Sequence, residues 1–177
     1  KITANVELKD IYSRAANVVG KIISRNHKYR DEFVIIGAHF DHLGYGGPGS
    51  GSLKPDTNAV HNGANDNASG TAGLLELAHK LQANRKLLKR SILFIAFDAE
   101  EKGLLGSKYF VQNPTINIKN VSAMINMDMI GKMRDSTLII GGVGTSPVFE
   151  PILDSLSINT GLKFEYCLLY TSPSPRD

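Results

Sequence analysis

His39 and Asp41 stand two apart in Gly37-Ala38-His39-Phe40-Asp41-His42. On an extended backbone that spacing turns both side chains to one face. An imidazole there can bind a metal through one ring nitrogen and give its other N–H to a carboxylate, which sets ring orientation and basicity. The same pair also serves as an ordinary hydrogen-bonded core couple. His42 falls on the opposite face by the same alternation and reads as structural. Asp66 sits in Asn62-Gly63-Ala64-Asn65-Asp66-Asn67-Ala68-Ser69-Gly70, a run of turn formers. Its carboxylate either caps a helix or bridges two cations. Glu100 and Glu101 are adjacent carboxylates that repel each other. They fit a solvated strand end, or a site where a cation on one leaves the other as a proton acceptor beside water. Asp128 lies in the apolar stretch Met124–Ile130, where a carboxylate needs a hydrogen-bonding partner or a metal.

Each residue has a plain structural use; their combination is more specific. An oxygen-rich set with one imidazole suits a borderline divalent cation, with zinc first. Two metals ~3.5–4 Å apart around a bridging carboxylate account for the number of acids. Cys167 is the one cysteine in the sequence. An internal disulfide and a cysteine-rich metal site are therefore excluded, and any metal relies on His, Asp and Glu.

These side chains need elements to position them. Phe33–Ile36 and Ile92–Phe97 are apolar runs of the kind buried on both faces of a sheet. Ile2–Leu8 alternates as a strand, and Ala15–Ile23, Val121–Met127 and Thr137–Ile140 give further strands. Helices are expected along the face of Leu74, Leu75, Ala78 and Leu81, over Gly103–Val111, and over Pro147–Ser157. Strands alternating with helices predict an α/β fold: a three-layer sandwich with a mostly parallel, mixed central sheet flanked by helices. In such sheets ligands collect outside the carboxyl ends of the strands. Three strands end there in His39 and Asp41, in Glu100 and Glu101, and in Asp128. The aperiodic, glycine-rich stretch from Leu43 to about Asn67 is long enough to be a functional loop.

The 177 residues are 42% hydrophobic and 21% charged, which fits one packed domain. We place that domain at residues 1–166. Residues 167–177 break the composition and read as a non-native or disordered tail. The net charge of +3 is too small to imply nucleic acid. The basic cluster Arg85–Arg90 is a solvated helix end or an anion patch. No apolar run approaches the ~20 residues of a membrane span, and the first residues carry no signal-peptide pattern.

Four segments, in order, resemble the motifs of the co-catalytic di-zinc aminopeptidases. They are Gly37–Gly44, Asn62–Gly70, Phe97–Ser107 and Asn126–Gly131. That metallopeptidase family also includes aminopeptidase Y, bacterial leucyl aminopeptidases, glutamate carboxypeptidase II and the glutaminyl cyclases. The similarity runs from about Ala16 to about Phe164. It implies a zinc-dependent exopeptidase that hydrolyses N-terminal peptide bonds of peptides or proteins and acts as a secreted or periplasmic enzyme. Carboxypeptidase, glutaminyl cyclase and an inactive scaffold of the transferrin-receptor kind are the alternatives on this fold. By matching position, His39, Asp66 and Asp128 would hold one zinc and Asp66 and Glu101 the other. Asp66 would bridge the two ions, Asp41 support His39, and Glu100 act as general base. The family has one more zinc-binding His, downstream of the Asp128 motif. Here His27, His42, His61 and His79 all precede Asp128. The domain is therefore expected to lack its C-terminal part, with the second zinc weakly held.

Overall fold

The computed structural model describes residues 5–7 and 12–168. Its contacts group the chain into two interleaved units. One runs up to Asp41 and resumes over Leu74–Asn126; the other takes His42–Gly73 and continues from Met127.

In the first unit, β-branched and aromatic runs build the sheet. Strands β1 (Val18–Ile22), β2 (Phe33–His39), β3 (Ser91–Phe97) and β4 (Val121–Asn126) lie in the order β1-β3-β2-β4. β2 runs parallel to both β3 and β4, and β1 closes one edge antiparallel to β3. Parallel neighbours need long crossovers, which helices supply. Helix α1 (Gly70–Ala83) lies between β2 and β3, and helix α2 (Leu105–Gln112) between β3 and β4. The two crossovers step in opposite directions along the sheet. With the right-handed crossover rule this sends the helices to opposite faces and yields the expected mixed sheet flanked by helices. Phe110 of α2 packs on Ile35, Leu93, Ile95 and Phe97, with the Phe97 and Phe110 rings edge to face at 6.3 Å.

Several boundaries shift. β2 continues past Ile36 to His39, because Gly37 and Ala38 keep pairing with Ile95 and Ala96. On α1, Leu75 is 66% exposed, and the inward face is Leu74, Leu77, Ala78 and Leu81, the i, i+3, i+4, i+7 stripe of a helix. The basic cluster is tied down: Arg90 Nε donates to Glu32 at 2.7 Å and Arg85 Nε to the Ile23 carbonyl at 2.6 Å.

The second unit is richer in loops. A helical turn, Ala64–Ser69, leads into α1 and contains the cis Asp66–Asn67 peptide. Strand β5 (Thr137–Gly141) pairs in parallel with β6 (Lys163–Cys167), joined through helix α3 (Phe149–Ser157). β6 extends the pattern beyond the elements expected from sequence, and its last residue Cys167 pairs with Gly141. The expected strand Ile2–Leu8 falls largely outside the described residues; residues 5–7 are described and form no strand. Of the expected tail, residues 169–177 lie outside the described residues.

Candidate metal centre

The first unit carries His39, Asp41, Glu100 and Glu101. His39 is the last residue of β2 and is only 3% exposed. Its Nδ1 lies 3.1 Å from the Asp41 carbonyl and 3.7 Å from the Asp41 carboxylate. With Nδ1–H directed at Asp41, the lone pair belongs to Nε2, the arrangement a metal ligand requires. Nε2 is 4.0 Å from Glu100 Oε2.

Asp41 reaches further. Its two carboxylate oxygens accept the backbone N–H groups of Glu100 and Glu101 at 2.9 and 3.1 Å. Burial pushes the Asp41 carboxyl up. The hydrogen bond from His39, the two backbone N–H groups and the His39 charge outweigh it, so the pKa falls below the ordinary value. The turn that Asp41 grips is unusual: Ala99 sits at φ 54, a left-handed conformation that costs about 1 kcal/mol or more for a residue with a Cβ. Asp98 supports this turn, its Oδ1 accepting from Ala99 N–H at 2.8 Å and its Oδ2 from Ala16 N–H at 2.8 Å.

The second unit carries Asp66 and Asp128 and draws them together: carboxylate oxygens of the two lie within 4.8 Å of one another. Asn67 is the reason. It is 1% exposed, and its amide donates to Met127 O at 3.0 Å while its Oδ1 accepts from Gly70 N–H and Met129 N–H at 3.0 and 3.2 Å. A Cβ at Gly70 would collide with Asn67 Oδ1 and the Met127 carbonyl, so only glycine lets the two segments approach. Asn65 Oδ1 adds a second tie, accepting from Gly131 N–H at 2.9 Å. Two carboxylates this close can take a cation between them, so the pair would suit a divalent ion such as zinc.

Sequence reasoning missed Asn65 and Asn67, which hold the Asp128 segment on the Asp66 turn. Their signal was the Asx-rich run itself, which reads equally well as capping. A ring nitrogen of His42 lies within 4.8 Å of an Asp66 carboxylate oxygen.

Residues 17–169 match peptidase family M28. The chain belongs to peptidase family M28. Over 130 residues the M28 chain is 34% identical to aminopeptidase YwaD of Bacillus subtilis, covering 72% of this chain and 25% of that protein. Over 114 residues it is 35% identical to a probable zinc metalloprotease of Phaeosphaeria nodorum, covering 60% of this chain and 23% of that one. The crystal structure of LapB from Legionella pneumophila is similar at a TM-score of 0.60 and 29% identity, over 85% of this chain and 38% of that one. The M28 chain thus spans about a quarter of the length of these curated relatives. Among its described residues, no helix is long and apolar enough to cross a membrane.

Proposed function

We propose that this chain is part of a zinc-dependent aminopeptidase that removes N-terminal residues from peptides or proteins in a secreted or periplasmic setting. His39, Asp66 and Asp128 would hold one zinc, and Asp66 and Glu101 would contribute to a second. Bound zinc supplies Lewis acidity, lowering the pKa of water and polarising the scissile carbonyl. The chain's own residues do the rest. Glu100 takes a proton from the attacking water and returns it to the leaving amine nitrogen. Asp41 fixes the His39 ring and, through two backbone N–H groups, the place of Glu100 and Glu101.

The observation that carries this reading is the double grip of Asp41. One carboxylate meets the buried His39 and fastens the backbone of an adjacent acid pair. A solvated strand end needs no such fastening. Family membership and the aminopeptidase name of the YwaD relative support it.

The test is an assay of the zinc-loaded chain on aminoacyl-anilides and on peptides with N-terminal Gln, with and without chelator. Chelator-sensitive release of the anilide is the expected result. Cyclisation of the Gln peptides without anilide hydrolysis would replace this reading by the glutaminyl cyclase one. Neither reaction, with no zinc bound by elemental analysis, would favour a scaffold.

A further inference from the structure

Charge is spread unevenly over the first unit. Residues 24–32, 84–90 and 113–120 lead into β2, β3 and β4. Together they hold eight Lys and Arg against two acids, a net charge of +6 where the whole chain carries +3. β2 runs parallel to β3 and to β4, so the three segments share one end of the sheet, at the amino ends of the strands.

Hydrogen bonds hold the segments together. Ser24 Oγ donates to the Leu88 carbonyl at 2.6 Å, and Ser91 Oγ donates to the Arg30 carbonyl. Glu32 Oε2 accepts from Arg90 Nε at 2.7 Å and from Ser122 Oγ of β4 at 3.4 Å. Arg90 thus neutralises Glu32. Six cations are exposed at this end: Arg25, Lys28, Arg30, Lys86, Lys89 and Lys119. Asp31 is the one exposed acid in these segments. Like charges gathered on one face repel each other, and an anionic surface laid against them offsets that repulsion.

Apolar side chains stand among the cations. Leu87 is 78% exposed between Lys86 and Lys89, and Ile118 is 40% exposed beside Lys119. A soluble polyanion gains nothing from Leu87. A lipid surface takes both kinds of group: its headgroups meet the cations, and the leucine enters the boundary with the acyl chains. Stacking of nucleic-acid bases needs an open aromatic face. Tyr29 is the one Phe, Tyr or Trp in the three segments, and Lys28 Nζ and Arg90 Cζ already lie over its ring, 4.8 and 5.2 Å from the centroid.

We propose that this end of the first unit is a docking face for an anionic lipid surface, with Lys86, Leu87 and Lys89 at its centre. The proposal is independent of the zinc reading. His39 and Glu100 follow the opposite, carboxyl ends of β2 and β3. The seven residues of β3 span about 20 Å, so docking leaves both residues clear of the headgroups.

The test is co-sedimentation of the 177-residue chain with phosphatidylcholine vesicles and with vesicles of equal parts phosphatidylcholine and phosphatidylglycerol. Binding should require the anionic lipid and weaken as salt shortens the Debye length from about 10 Å at 0.1 M to about 3 Å at 1 M. Each basic residue near an anionic leaflet raises partitioning about fivefold, so Lys86→Gln with Lys89→Gln should weaken binding about 25-fold. Leu87→Ser should weaken it about tenfold. Lys102→Gln with Lys108→Gln removes the same charge beyond the carboxyl end of β3 and should change binding little. An equal loss from that pair would reduce the effect to net charge and overturn the docking face. Absence of binding to the anionic vesicles would overturn the proposal outright, and binding to duplex DNA in their place would assign the face to nucleic acid. Far-UV circular dichroism confirms that each variant is folded.

Discussion

Glu100 and Asn67 do different work, and their removal should show it differently. Glu100→Gln keeps the shape of the side chain but cannot accept a proton. In zinc-loaded protein it should retain the metal and lower kcat by about 10²–10⁴; near-normal turnover with zinc bound would contradict its role as base. Asn67→Ala leaves the N–H groups of Gly70 and Met129 and the carbonyl of Met127 without their partner. Each buried group left unsatisfied costs about 1–3 kcal/mol, so the urea midpoint should fall clearly. An unchanged midpoint would show that water replaces the amide. At this scale the sequence was informative about which segments carry acids and imidazole, because paired acids and isolated carboxylates in apolar runs are costly wherever they stand. It gave no sign that Asn67 ties down the Asp128 segment. Whether an Asx side chain caps its own turn or ties down a segment sixty residues away depends on the fold.

The strands and helices that hold these residues are stabilised unevenly. Phe110 is 5% exposed and fills the space between α2 and the sheet. Phe110→Ala should destabilise by about 3–5 kcal/mol, the usual cost of deleting a buried aromatic; a loss under about 1 kcal/mol would mean that α2 closes over the gap. In the other unit, Tyr166 of β6 donates its hydroxyl to Asp154 of α3 at 2.7 Å. Partial desolvation, that hydrogen bond and the charges of Asp154 and Glu150 push its pKa up to about 12. The folded state thus favours the neutral phenol. The link stabilises below the ordinary tyrosine pKa of about 10 and is lost as pH rises through the raised value. Spectrophotometric titration should show one late tyrosine that Tyr166→Phe removes; loss of a tyrosine titrating near 10 would contradict the link. The alternation of buried strands with helices was legible because parallel strands demand long apolar crossovers. β6 was not, since five residues of alternation beside a compositional break carry too little signal. Leu75 was misplaced for a simpler reason: two adjacent leucines leave the phase of the helix ambiguous by 100°.

At the scale of the whole chain, the contacts divide into two units interleaved along the sequence. No local pattern announces such a division, which depends on pairings between distant segments. The α/β class and the order of the four motifs, by contrast, were open to reading from one sequence, and the M28 match spans them all. The central claim is that these motifs serve a shared zinc centre, with Asp66 common to both ions. It is tested most directly by zinc content after dialysis, parent chain against Asp66→Ala, with far-UV circular dichroism confirming that both are folded. The account predicts zinc retained by the parent chain and almost none by the variant, because the carboxylate common to both ions is gone. A folded Asp66→Ala chain that keeps the parent's full zinc content would contradict it.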